Sequence, residues 1–83
     1  MSNKIIELDN RGLEPPQPMM RTLQALEDSE VGDQVKIHND RLPMFLIEEL
    51  QRLGYPYQVE HQADGSARVT IDKTNSSAPN NGE

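Results

Sequence analysis

The stretch from Gly12 to Met20 constrains the fold more than any other part of this chain, because prolines occupy positions 15, 16 and 18. A proline inside a helix lacks the N–H of the helical hydrogen bond and clashes with the carbonyl four residues earlier. Proline is accepted in the first turn of a helix, where the N–H groups have no intrahelical partner. We therefore predict that a strand ends near Leu8, that the chain turns at Gly12, and that a first helix begins at Pro16.

The first helix is predicted to extend from Pro16 to about Asp28. Its apolar residues recur at helical spacing, and Gly32 ends the segment. Because successive helical residues point about 100° apart, at least one of Met19 and Met20 should be partly exposed, and Met19 is assigned to the core. The apolar positions are Met19, Met20, Leu23 and Leu26.

A second helix is predicted between an N-cap signal at Asn39 and Asp40 and a terminating glycine, Gly54. Pro43 lies early enough to be tolerated in the first turn. Met44 and Ile47 are expected to flank the buried face, and Met44 is assigned to the core. The predicted buried face consists of Leu42, Phe45, Leu46, Leu50 and Leu53.

Four segments have the composition and alternation of strands. Pro56 should lie at the start of its strand or on a sheet edge, and residues 63–66 are typical of a hairpin turn. The inward residues are expected to be Ile6 and Leu8, Val35 and Ile37, and Val69 and Ile71. The third strand is expected because Tyr55, Tyr57 and Val59 alternate with Pro56, Gln58 and Glu60. The order β-α-β-α-β-β with right-handed crossovers puts both helices on one face of the sheet, which is a two-layer α+β sandwich.

Length and charge limit the possible function classes. The 83 residues suffice for one small domain, assigned to residues 1–73, and residues 74–83 have the composition of a disordered tail. Eight basic against 14 acidic residues give a net charge of −6, which disfavours nucleic-acid binding. The sequence has neither an apolar run long enough to span a membrane nor a signal peptide, so we expect a cytoplasmic protein that is a monomer or a weak homo-oligomer.

The chain contains no cysteine. This excludes disulfides, thiolate metal sites, persulfide carriage and a cysteine nucleophile. No serine–histidine–acid arrangement and no glycine-rich phosphate loop is evident, so we expect neither enzymatic activity nor a cofactor.

The residues around the proline-rich stretch resemble the signature of the TusA/SirA-like family of small sulfur-relay proteins. That signature is Leu-Asp, two residues, Gly-Leu, one residue, Cys-Pro, one residue, Pro. This chain matches it from Leu8 to Pro18 except that Pro15 replaces the cysteine. The resemblance, which is to the cysteine-free, uncharacterised bacterial branch, implies a mixed sheet of order 1-2-4-3. Asn39-Asp40 followed by Pro43 loosely matches the family's second turn.

The resemblance also places a candidate site at the start of the first helix. In the sulfur-relay members the helix terminus lowers the pKa of the cysteine thiol. Here the remaining N–H groups and Arg11 could bind an anion or a partner; alternatively, the motif serves only as a strand–helix connection. The candidate ligand- or partner-binding residues are Asp9, Arg11, Gly12, Pro15, Pro16 and Met20.

The two histidines, His38 and His61, are weaker candidates for a metal site. With the implied strand order, the fourth strand would separate them by roughly 9–10 Å, too far to share one ion. We expect both to be exposed residues at strand ends.

Two hypotheses follow from the sequence. The first is a non-enzymatic protein-interaction or regulatory module on the TusA/SirA-like scaffold, with an unidentified protein partner. The alternative is a protein that binds a small ligand, an anion or a metal through the first helix N-terminus or His38.

Overall fold

A computed structural model describes residues 3–74 as a four-stranded mixed sheet with two helices. The strand order is β1-β2-β4-β3, with β1 and β2 parallel and β4 antiparallel to both of its neighbours. The fold class and the strand order are confirmed. Of the predicted tail, residues 74–83, only Thr74 belongs to the described part. The elements are β1 Ile5–Asp9, α1 Gln17–Asp28, β2 Gln34–Asn39, α2 Met44–Leu53, β3 Tyr57–His61 and β4 Ala67–Asp72.

One hydrophobic core joins both helices to the same face of the sheet. Alternate residues of a strand point to opposite faces, so each strand contributes every second residue. The fully buried members, none more than 2% exposed, are Leu26, Val35, Ile37, Leu46, Leu50, Val69 and Ile71. Ile6 and Leu8 of β1 pack against this cluster, as predicted, and Tyr57 and Val59 of β3 pack against it as well.

The proline-rich stretch begins α1 as predicted. Pro16 is the N-cap residue, Pro18 lies in the first turn, and the N–H of Met20 donates to the Pro16 carbonyl at 3.0 Å. Met19 packs against the core and Met20 is 63% exposed, which confirms the expectation for this pair.

The first turn of α2 differs from the prediction. Phe45, expected in the core, is 79% exposed; Met44 is 58% exposed, and Ile47, expected at the flank, is buried. At about 100° per residue, Leu50 lies roughly 40° from Leu46 on the Ile47 side of the helix. The buried stripe is therefore centred away from Phe45.

The predicted N-cap at Asn39 and Asp40 is also wrong. The N-cap residue of α2 is Pro43, and no side chain caps the helix. Asn39 instead ends β2 in a buried position, and Asp40 accepts a hydrogen bond from the N–H of Gly12 at 2.8 Å.

In the C-terminal half of the chain, glycine and proline mark the ends of the elements. Gly54 ends α2 in the left-handed conformation (φ 85°). Pro56 directly precedes β3, which is an edge strand, and Tyr55 lies before the strand rather than in it. No helix between residues 3 and 74 is long and apolar enough to cross a bilayer.

Candidate functional site

A groove of about 500 Å³ lies between the N-termini of the two helices. Residues between Asn10 and Met19 line one side, and residues 39–46 line the other. The carboxyl ends of β1 and β2 lead into these two segments, so the sheet places both helix starts beside each other. The volume falls within the range of small-molecule pockets.

The rim of the groove is apolar. Phe45 and Met44 line it while remaining 79% and 58% exposed, and Pro15 and Pro16 line the opposite side. Phe45 is the single phenylalanine of a chain that has no tryptophan. A buried aromatic side chain adds a large apolar area to a small core. Because Phe45 is mostly exposed, it adds little apolar burial to this fold.

Both helix N-termini at the groove lack capping groups. Neither has a side-chain cap or an acidic residue in its first turn. The first N–H of α2 to bond back into the helix is that of Ile47, to the Pro43 carbonyl at 3.0 Å. Within residues 3–74 the N–H groups of Met44, Phe45 and Leu46 have no acceptor. Such unsatisfied donors carry the positive end of the helix dipole.

Two buried asparagines form the floor of the groove. Asn10 is 1% exposed and its Nδ2 donates to Thr22 Oγ1 at 3.2 Å and to Asn39 Oδ1 at 3.1 Å. The Oδ1 of Asn10 is buried and has no hydrogen-bond partner. The two amides thereby tie the ends of β1 and β2 to α1 and leave one acceptor unsatisfied.

Sequence reasoning missed the role of Asn10 because it was assigned only to the turn. A signal for it does exist. Asn10 follows Ile6 and Leu8 at the inward positions of β1, and Asn39 follows Val35 and Ile37 in the same way on β2. A polar residue that continues an inward alternation marks a buried polar pair at the strand end.

A separate polar cluster lies beside the groove, at the ends of β1 and β2. Arg11 forms a two-point ion pair with Asp9, with Nε to Oδ1 and Nη2 to Oδ2 both at 2.8 Å. The hydrogen bonds from Arg11 hold the pKa of the Asp9 carboxyl well below its usual value, and Asp9 raises the pKa of Arg11. The pair engages Nε and Nη2 of Arg11 and neutralises its charge locally, so an anion at Arg11 would compete with Asp9.

The same cluster contains a serine–histidine–acid contact that was not expected from the sequence. Ser66 Oγ donates to Asp64 Oδ1 at 2.6 Å, and His38 Nε2 lies 2.8 Å from the Oγ of Ser66. The single hydroxyl proton goes to the carboxylate, so His38 must act as donor to Ser66. A nucleophilic serine needs the reverse order, with histidine accepting its proton. The bonds from Ser66 lower the pKa of Asp64.

The predicted site residues are divided between these places. Pro15 and Pro16 line the groove, and Gly12 lies at its edge, held by Asp40, in a left-handed conformation (φ 81°). Asp9 and Arg11 belong to the polar cluster, and Met20 lies on α1 without lining the groove. The groove residues Met44 and Phe45 were assigned to the core by the sequence.

The histidines do not form a joint metal site. β4 lies between β2 and β3, His61 is exposed, and His38 is partly buried and bonded to Ser66 rather than simply exposed. In the described part of the chain, no three histidine, aspartate or glutamate side chains are grouped to hold an ion.

A second concavity of about 600 Å³ lies at the other end of the sheet, around Lys4, Asp33 and Lys73. The backbone there is internally satisfied: the N–H of Lys4 donates to Asp33 Oδ1, and that of Lys73 donates to the Asp33 carbonyl, both at 2.9 Å. We therefore take the groove between the helix N-termini as the candidate site.

Comparison with known proteins agrees with this architecture. The model of the family described as uncharacterized conserved protein (DUF2249) matches residues 7–73. The chain belongs to this family. None of the curated proteins matches it. The fold is similar to the crystal structure of a SirA-like protein from Desulfitobacterium hafniense, with a TM-score of 0.73 and 28% identity over 83% of this chain and 97% of the other.

The family match and the structural similarity confirm the SirA-like resemblance. They assign no activity to the DUF2249 chain. The position of the sulfur-relay cysteine in the resembling signature corresponds to Pro15, which lines the groove.

Proposed function

We propose that this chain is a non-enzymatic protein-interaction module and that the groove between the helix N-termini receives the partner. The observation that supports this most directly is the exposure of Phe45 and Met44 on a groove lined mainly by apolar residues. Exposed aromatic and methionine side chains beside a pocket are typical of the buried centre of protein interfaces.

The loss of a nucleophile supports the same proposal. The chain has no cysteine, and proline at position 15 offers neither a reactive side chain nor an N–H. The hydroxyl of Ser66 is committed to Asp64. What the site retains is its shape, its apolar rim and its helix-terminus donors, and these are features suited to binding.

The test is affinity capture from an extract of the source organism with the wild-type chain, Phe45→Ala and Ile5→Ala. Ile5 is a matched control because it is also apolar and 53% exposed, on the sheet face away from the helices. A partner retained by Ile5→Ala and lost with Phe45→Ala supports the proposal. A partner bound equally by all three variants, or measured turnover of a substrate, contradicts it.

A second candidate function is the binding of a small anionic ligand at the same groove. The uncapped N-termini of α1 and α2 favour it, because such termini are ready-made anion sites. Native mass spectrometry of the freshly purified chain separates the two candidates. A stoichiometric small-molecule adduct that is lost in Phe45→Ala supports the ligand, and a bare mass with a captured protein supports the interaction module.

A further inference from the structure

We propose that the groove binds the C-terminal residue of the partner, an apolar residue with a free α-carboxylate. The inference rests on the proposed function and specifies the chemistry of the partner. Three features of the groove each match one group of such a residue: the helix-terminus donors, the unpartnered amide of Asn10 and the apolar rim.

The helix N-termini match the carboxylate. The N–H groups of Met44 and Phe45 have no acceptor in the described chain, and no side-chain cap or acidic residue competes for them. Arg41, which lines the groove beside them, is exposed and forms no ion pair within residues 3–74. Bonds from these donors to a carboxylate are charge-assisted, and the helix dipole adds to them.

The carboxylate of Asp40 also lines the groove and opposes an incoming anion. Its Oδ2 accepts the N–H of Gly12 at 2.8 Å, which fixes it on the side of the β1–α1 connection. The free donors of α2 lie at the first turn of the other segment. We therefore place the bound carboxylate at α2 rather than between the two helix starts.

The second, independent feature is the amide of Asn10. Its Nδ2 is fully used by Thr22 and Asn39, so its Oδ1 is the group left without a partner in the floor. An unsatisfied buried acceptor destabilises the free chain, and a donor that reaches it recovers part of that free energy. The backbone N–H of the bound residue is such a donor.

Less than 1 Å² of that oxygen is accessible in the unoccupied groove. Contact therefore requires side chains around Asn10 to move on binding. Met19 lines the groove and packs against the core, and an unbranched methionine side chain adapts to such a change more readily than a branched one.

The apolar rim selects the residue that carries the carboxylate. In an aspartate or glutamate within a chain, the carboxylate is the side chain. Such a residue therefore cannot also supply an apolar side chain. A C-terminal residue supplies a carboxylate, a backbone N–H and an apolar side chain together. The side chain then packs between Phe45 and the wall that contains Pro15 and Pro16.

The test is an NMR titration of the full ¹⁵N-labelled chain with an acetylated hexapeptide that ends in leucine, prepared as the free acid and as the C-terminal amide. We expect the acid to shift the amide resonances of Met44 and Phe45 and to bind at least about tenfold more tightly than the amide, which corresponds to about 1.4 kcal/mol. Phe45→Ala should weaken binding of the acid about tenfold, and Ile5→Ala should leave it unchanged.

Several outcomes overturn the inference. These are equal binding of acid and amide, no shift at millimolar acid, or equal binding of a peptide whose only carboxylate is an internal aspartate side chain. N-acetyl-leucine carries all three groups of the terminal residue and should bind nearly as tightly as the hexapeptide acid. If the hexapeptide binds and N-acetyl-leucine does not, the assignment to the terminal residue is also overturned.

Failure of the inference can be distinguished from failure of the proposed function. If capture of the partner depends on Phe45 but survives removal of the partner's last three residues, the interaction module stands and the C-terminal recognition is wrong. If no partner depends on Phe45, the proposed function itself fails.

Discussion

The two faces of α2 use the same kind of residue in opposite ways. Leu46 and Leu50, on the face toward the sheet, are at most 1% exposed, whereas Met44 and Phe45, on the face toward the groove, are 58% and 79% exposed. Phe45 and Leu46 are neighbours in sequence and are both strongly apolar. Their difference shows that the phase of the helix against the sheet, rather than hydrophobicity, determines which of them is buried.

The same contrast holds for polar groups. At the end of the sheet around Asp33, backbone donors and acceptors pair with one another. At the groove, three N–H groups of α2 and the Oδ1 of Asn10 remain without partners in the described chain. At the end around Asp33, the buried hydroxyl of Thr74 also has no partner within the described residues. The contrast therefore lies in the backbone: the N–H groups of Lys4, Asp33 and Lys73 are paired, and the first N–H groups of α2 are open to a bound molecule.

The largest expected effect tests the buried half of α2. Leu50→Ala should lower the free energy of unfolding by about 2–5 kcal/mol, because it removes a fully buried side chain and leaves a cavity. Phe45→Ala should change it by no more than about 0.5 kcal/mol, as is usual for exposed positions. Urea unfolding followed by circular dichroism measures both. A loss above about 1 kcal/mol for Phe45→Ala would show that the Phe45 side chain is packed against the fold.

The second effect concerns the floor of the groove. Asn10→Ala should lower the free energy of unfolding by about 0.5–1.5 kcal/mol per hydrogen bond lost, because Nδ2 no longer donates to Thr22 and Asn39. The buried Oδ1 of Asn39 then lacks its donor, but the unpartnered Oδ1 of Asn10 is removed at the same time. Asn3→Ala is the control, because Asn3 is exposed, and it should change stability by no more than about 0.5 kcal/mol. Equal unfolding curves for the two variants would contradict the buried network.

A third prediction uses position 15 as a probe of the α1 terminus. Pro15→Cys should fold with a loss of about 0.4–1 kcal/mol, through a freer unfolded chain. Its thiol should have a pKa below the usual value of about 8.5, because it precedes the uncapped start of α1. The rate of thiol alkylation against pH measures it. A normal or raised pKa would show that position 15 does not feel the helix terminus.

The smallest effect concerns the ion pair outside the groove. Arg11 lowers the pKa of Asp9, so the pair stabilises the folded state above the unfolded pKa of about 3.9 and ceases to do so as the pH falls through the folded value. Asp9→Asn should therefore be slightly less stable than wild type at pH 7, and the difference should shrink below about pH 3. Because both side chains are exposed, added salt should also reduce it. A difference that grows in acid would contradict the pair.

The features that the sequence predicted correctly depend mostly on local chemistry. The prolines at the start of α1, the left-handed Gly54 and the hairpin at residues 63–66 each act through the backbone of a few neighbouring residues, so the sequence alone determines them. The alternation in β2 and β4 also identified the inward residues. The strand order came from the family resemblance.

Only the tertiary structure determined the site. The bond between Asn10 and Asn39 joins residues 29 apart, and the His38–Ser66 contact joins residues 28 apart. No local pattern specifies such pairs, because they depend on the register of β1, β2 and β4. The exposure of Phe45 has the same origin: the apolar spacing of α2 allows more than one buried stripe, and the position of the helix on the sheet selects the stripe that leaves Phe45 on the groove.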